Sequence, residues 1–168
     1  MTDRQLIMAS LLGPGTPVRE VACLAETTFV FLKPEAVLRG LMGEIIARIE
    51  RKGLRIRAMK LHRMSREEAE RLYDVHRGKE FFERLVRHVT SGPVLLMVIE
   101  GPRAVEAVRK LIGATDPVEA QPGTIRGDYG LDITQNIIHA ADSPERALEE
   151  MRIFFTEEEI RALWEGVG

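Results

Sequence analysis

The chain has little of what would set it apart from ordinary globular proteins. It carries one cysteine, Cys23, in 168 residues. That excludes an internal disulfide framework and fits a reducing compartment. No apolar run reaches the roughly 18 residues that a membrane-spanning helix needs. The N-terminal LIMASLL is short, follows Asp3 and Arg4, and runs into GPGTP without a small-residue cleavage pattern, so it makes a poor secretory leader. The chain therefore reads as cytoplasmic. An excess of positive charge is also missing. Lys and Arg number 24 against 26 Asp and Glu, a net charge of −2, so neither nucleic acid nor a membrane surface is expected as a partner. Any anion site has to be a local cluster. Asparagine occurs once, at Asn136, and arginine far outnumbers lysine, a bias that suits a heat-adapted host. What remains is 45% hydrophobic and 30% charged, enough for one domain with a sizeable core.

Residues 1–26 read as an N-terminal extension, because GPGTP breaks any helix, and the domain as 27–168. TTFVFLKP is a short β-rich strand stopped by Pro34. LMGEIIARIERKG places Leu41, Met42, Ile45, Ile46 and Ile49 on one helical face, with Gly53 as the stop. In the strand LRIRAMKLHRM the apolar positions change parity at Ala58 and Met59, which predicts a bulge. Ser65 and Glu68 form a capping box ahead of REEAERLYDVH, and EFFERLVRHVT follows as a second short helix. PVLLMVIEG is a buried central strand, and PRAVEAVRKLIG a helix with Pro102 at its first position. A long loop over Ala114 to Asp128 leads to a last strand near GLDITQNII. The helix SPERALEEMRIFF follows, and Thr156 with Glu159 caps a final short helix. The order β-α-β-(αα)-β-α-β-α predicts an α+β fold of the ferredoxin-like split βαβ type, a four-stranded antiparallel sheet with helices covering one face.

His139 falls between a strand end and a helix start marked by Ser143, Pro144 and Glu145. It reads either as a surface or capping residue or as a nucleophile toward an anion bound at that helix N-terminus. An attack on an anion requires fixed positive charge, for which Lys33, Arg109 and Arg126 are the candidates. Lys33 before a proline and Arg109 beside Lys110 each read equally well as solvated side chains. Arg126 in GTIRGD stands out because flanking glycines let the backbone approach a ligand.

FVFLKPEAVLRGLMGEII, SGPVLLMV, GATDPVEAQPGTIRGDYG and NIIHAADS, in this order and spacing, resemble the nucleoside diphosphate kinases over about Thr27 to Phe155. The resemblance implies an enzyme that moves the γ-phosphate of a nucleoside triphosphate to a nucleoside diphosphate through a phosphohistidine, with His139 as nucleophile. It implies Lys33, Arg109 and Arg126 at the phosphates, with Tyr73 and Thr115 as hydroxyl donors. Asn136 falls to the sugar, and Phe81 and Ile133 to the two faces of the base, with Phe82 left to the core. Glu150 orients the imidazole. Stacking accepts every base, so broad base specificity follows. Mg2+ is implied as cofactor, carried by the nucleotide phosphates without a protein cage. Asp128 and Asp142 read as capping or solvated aspartates that reach a metal only through water, and His62, His76 and His88 lack ligand spacing. A homo-oligomer, a hexamer, is implied, with the 114–128 loop near its threefold contacts.

Three positions depart from the family pattern. Glu35 replaces the commoner aspartate and Ala140 the commoner glycine. Ala141 stands where a serine hydroxyl usually bonds the Glu150 carboxylate, so a looser imidazole is expected. Two other readings compete. An RNA-recognition module would use Phe29 and Phe31 as stacking aromatics, yet PVLLMVIE contributes none and the charge is wrong. A kinase relative serving as a scaffold is the second.

Overall fold

The computed structural model describes residues 25–166. All but the last two residues of the expected 1–26 extension, Cys23 among them, lie outside the described residues. Strand β1, Glu26–Leu32, is rich in β-branched and aromatic residues that suit a pleated surface buried on both faces. Helices α1, Pro34–Leu38, and α2, Met42–Arg51, follow, then β2, Arg55–His62. Next come α3, Arg66–Leu72, a 3-10 turn at Asp74–His76, α4, Phe82–Val89, and β3, Val94–Gly101. The chain closes with α5, Ala104–Ile112, α6, Ile125–Tyr129, β4, Ile138–Ala140, α7, Pro144–Phe154, and α8, Glu157–Ala162.

The four strands form one antiparallel sheet in the order β2-β3-β1-β4, the split βαβ arrangement that the element order predicts. Helices cover both faces rather than one. The alternation of β1 sends Phe29 and Phe31 into a core with α3, α4 and α7, while Val30 and Leu32 pack against α2 and α5 on the other side. Phe29 and Phe31 are 0% exposed, so neither is open to stack on RNA bases.

Several boundaries differ from the sequence reading. The β2 irregularity falls between Ile56 and Ala58, one residue before the predicted bulge. Pro102 is not the first helical residue. Arg103 adopts a left-handed φ of 51°, α5 begins at Ala104, and the Val105 N–H in its first turn donates to the Glu26 carboxylate at 2.8 Å. The segment before His139 is loop rather than strand. Asp132 accepts hydrogen bonds from Thr134 and Gln135 N–H, folding an Asx turn, and β4 starts only at Ile138. The short helices α1 and α6 interrupt stretches read as a strand stop and a loop. The capping boxes at Ser65–Glu68 and Thr156–Glu159 are both formed.

Candidate active site

One cavity of about 440 Å³ is lined by every residue that the sequence singles out for chemistry or binding. His139 is the middle residue of β4, opposite Phe31, whose ring stacks on the imidazole at 5.0 Å. This corrects the placement at a helix start. Three residues separate His139 from the N-cap Ser143, and the cap hydroxyl already satisfies the Arg146 N–H. The imidazole is oriented instead from the side: its Nε2 lies 2.8 Å from Glu150 Oε2, contributed by α7. Because a carboxylate only accepts, this contact places a proton on Nε2 and leaves Nδ1 with a free lone pair. Glu150 is 4% exposed. Its second oxygen takes a 3.3 Å contact from Arg146 Nη2, a residue that the sequence reading passed over. The spacing of four between Arg146 and Glu150 on one helix was the available signal.

The cations arrive from three elements. Lys33 directly follows β1 and is the N-cap of α1. Its buried ammonium donates to Asn136 Oδ1 at 2.7 Å and to the Thr134 carbonyl at 3.0 Å. Burial is the main influence on its pKa, with Arg126 adding to it and Glu35 and Asp132 opposing, and the ammonium is pushed down to about 8. Arg126, in α6, donates to the carbonyls of Asn136, Gly113 and Ile138 at 3.2, 3.3 and 2.7 Å. Those three bonds fix the plane of the guanidinium and leave two of its five N–H groups for the cavity. Burial, then Arg109, lowers Arg126 to about 10, still cationic at neutral pH. Arg109 stands exposed on α5. Among the described residues no carboxylate is in hydrogen-bonding contact with these three cations, and gathering them so costs stability unless an anion is to be bound there.

Two further features point to a ligand. The Tyr73 hydroxyl is buried in the cavity wall with no hydrogen-bond partner among the described residues, and its ring meets the His139 imidazole edge-on at 6.0 Å. Burial, followed by the nearby carboxylates of Glu150 and Glu35, pushes its pKa up, so it stays a donor. Ile137, buried and β-branched, has φ 76°, and the Ile138 N–H donates to the Asn136 carbonyl at 2.9 Å across it. This γ-turn is a strained arrangement costing about 1–3 kcal/mol. Glu35 holds it, accepting from the Ile137 N–H at 3.1 Å and contacting His88 Nε2 at 2.8 Å. Burial alone would raise the Glu35 carboxyl; the bonds from His88 and the backbone amides outweigh it and hold the group below its usual range.

Phe81 borders the cavity beside His76, ring centres 5.4 Å apart, while Phe82 is in the core. Ile133 is 54% exposed at the cavity's rim. Thr115 offers its carbonyl to Asn136 Nδ2 at 2.9 Å. The side chain of Asn136 thus links Lys33 to the 114–128 loop. Asp128 accepts from the Gly123 N–H and pairs with Arg48, away from the cavity, whereas the exposed Asp142 lines it. Among the described residues, no three His, Cys, Asp or Glu side chains cluster tightly enough to hold a metal, and no helix is long and apolar enough to cross a membrane.

Comparison with known proteins agrees with this geometry. The sequence profile of nucleoside diphosphate kinases matches residues 26–160. A nucleoside diphosphate kinase of Hyperthermus butylicus is 61% identical over 135 residues, covering 80% of this chain and 95% of its own. Among solved structures, the kinase of Encephalitozoon cuniculi superposes with a TM-score of 0.78 at 42% identity, covering 80% of this chain and 91% of its own. The Halobacterium salinarum kinase, solved in complex with CDP, gives 0.77 at 47% identity over 80% of this chain and 90% of its own. With its sheet order, its cation-lined cavity and these matches in agreement, the chain belongs to the nucleoside diphosphate kinase family and is an enzyme of that kind.

Proposed function

We propose that the enzyme works by a ping-pong mechanism in which His139 carries the phosphoryl group between nucleotides. The observation that carries this reading is the Nε2 contact to Glu150, which leaves Nδ1 as the nucleophilic atom. A triphosphate enters with its base between Phe81 and Ile133 and its phosphates among Lys33, Arg109, Arg126 and the free Tyr73 hydroxyl. The Nδ1 lone pair forms a bond to the γ-phosphorus as the bond to the bridging oxygen breaks, and the diphosphate leaves with that electron pair. Positive charge developing on the ring is offset by Glu150, and negative charge on the equatorial oxygens by the cations. An acceptor diphosphate then reverses the step, its terminal phosphate oxygen displacing Nδ1.

Magnesium, carried on the nucleotide, supplies charge neutralisation at the β- and γ-phosphates. The residues present fit only such a phosphate-borne ion, with Asp142 as the cavity carboxylate that would reach it through water. Asn136 and Thr115 fall to the sugar and phosphates. Base acceptance is broad, because the base end offers an aromatic face and an aliphatic side chain rather than a fixed hydrogen-bonding pattern. The chain acts as a homo-oligomer, a reading supported by Met59 and Leu61 exposed on the edge strand β2 and by Val118 in the 114–128 loop; a hexamer is the form expected.

Initial rates measured against both substrates test the mechanism. Parallel double-reciprocal lines, obtained with purine and pyrimidine diphosphates alike, are expected. Intersecting lines would mean direct transfer within a ternary complex and would remove His139 from the chemical step.

A further inference from the structure

Glu150 can orient His139 only if its own carboxylate is fixed. One oxygen is committed to the imidazole. Ala141, at the position where the family resemblance expects a serine bonded to this carboxylate, is buried and has no polar side chain, so no hydroxyl comes from that position. The second oxygen accepts from the Arg146 guanidinium, one turn earlier on α7. Arg146 is itself held. Nη1 pairs with the exposed Glu149 at 2.8 Å, and Nη2 also reaches the carbonyl of Leu72, the last residue of α3 and the neighbour of Tyr73, at 3.3 Å. Its backbone is fixed independently, since the Arg146 N–H donates to the Ser143 cap. The side chain lines the wall of the nucleotide cavity.

We infer that Arg146 is a positioning residue for the phosphoryl transfer, acting through Glu150 to set which nitrogen of His139 is free. This rests on the phosphohistidine reading above for its catalytic consequence, though not for its effect on the ring. With only the imidazole to hold it, this carboxylate would have one oxygen without a partner and would turn about its side-chain torsions away from the ring. Once Nε2 had lost its acceptor, nothing would keep the ring proton there; it would exchange to Nδ1, and the nucleophilic lone pair would be lost. The guanidinium beside Oε1 opposes that outcome. It keeps Oε2 turned toward Nε2 and the ring in its Nε2–H tautomer before any nucleotide binds. The fork also reaches Glu149 and the Leu72 carbonyl, but the role itself needs only a positive donor beside Oε1, which a lysine ammonium keeps.

The test compares wild type with Arg146→Ala, Arg146→Lys and Glu149→Gln in the full chain. It measures the single-turnover rate of phosphoenzyme formation, the dissociation constant for ADP and the 15N histidine spectrum. Arg146→Ala is expected to slow phosphorylation by about tenfold or more, with ADP affinity held within about threefold, and to split the His139 resonances between tautomers. Arg146→Lys should restore most of the rate and the single tautomer, and Glu149→Gln should resemble wild type. An unchanged His139 spectrum in Arg146→Ala overturns the inference, as does a rate loss matched by an equal loss of ADP affinity. A wild-type protein that fails to phosphorylate at all would overturn the phosphohistidine reading instead, while the tautomer spectrum would still decide the role of Arg146.

Discussion

Lys33 gives the sharpest quantitative prediction. Its ammonium is pushed down to about 8 in the ligand-free enzyme, chiefly by burial, yet the proposed function needs it charged to hold a phosphate. A bound diphosphate restores the proton's favourable environment, so protonation and nucleotide binding are linked. With a free-enzyme pKa near 8, about nine-tenths of Lys33 is charged at pH 7 and about one-tenth at pH 9. The apparent affinity for ADP should therefore fall about tenfold between those values, or about 1.4 kcal/mol. Few other groups in the cavity titrate in that window. The Tyr73 hydroxyl is pushed higher, Arg126 sits near 10, and His76 is shifted downward. Titration calorimetry of ADP into wild type and Lys33→Arg, from pH 6.5 to 9, measures the effect. Wild type should weaken progressively above pH 8, and Lys33→Arg, which keeps its charge, should bind with an almost flat profile whatever its absolute affinity. A flat wild-type profile, or an equal decline in Lys33→Arg, would refute the assignment of the shift to Lys33.

The same shift has a consequence for stability. The folded protein holds Lys33 at about 8 and the unfolded chain near 10.5. The unfolded state binds the extra proton between those values, so this group's contribution to stability increases as pH rises through that window, by up to about 3 kcal/mol. Urea unfolding of ligand-free wild type and Lys33→Met should diverge across pH 8–10, and parallel curves would contradict it. Glu150→Gln should lower the turnover number by about 10–100-fold with little change in ADP affinity, since it removes a charge-assisted bond made to the ring rather than to the nucleotide; an equal loss in both would place Glu150 on the substrate instead. Phe81→Ala should weaken all nucleoside diphosphates by about 1–3 kcal/mol without reordering them, and loss confined to one base in calorimetry would argue for specific readout. Gly130→Ala would put a Cβ 2.6 Å from Pro117 Cγ and 2.8 Å from the Arg126 carbonyl, so urea unfolding should show a loss of about 1–3 kcal/mol.

Much of this was legible in the sequence because it depended on local patterns. The capping boxes at Ser65 and Thr156, the apolar face of α2 and the continuous run in β3 need only neighbouring residues to declare themselves. The cover of helices on both faces was harder to see, since β1 is apolar at every position from Phe29 to Leu32, which fits one-sided or two-sided burial of so short a strand. The γ-turn at Ile137 carries no local signal: a β-branched residue is the wrong type for positive φ, and the turn persists through Glu35, about a hundred residues earlier in the chain. The start of α5 was displaced for a similar reason, because its cap comes from Glu26 rather than from the preceding residues. The motifs pick out residues that line one cavity, but not their bonds. That Lys33 leans on Asn136, that three backbone carbonyls hold Arg126, and that Arg146 backs Glu150 are products of tertiary packing.

The central claim, that His139 carries the phosphoryl group, is tested most directly by incubating the enzyme with Mg-ATP labelled at the γ-phosphate, removing nucleotide, and characterising label on the chain. The account predicts acid-labile, alkali-stable label that is absent from His139→Ala and that passes quantitatively to GDP, CDP or UDP when any of them is added. An active wild-type enzyme that never holds such label, or label that persists in His139→Ala, would contradict it.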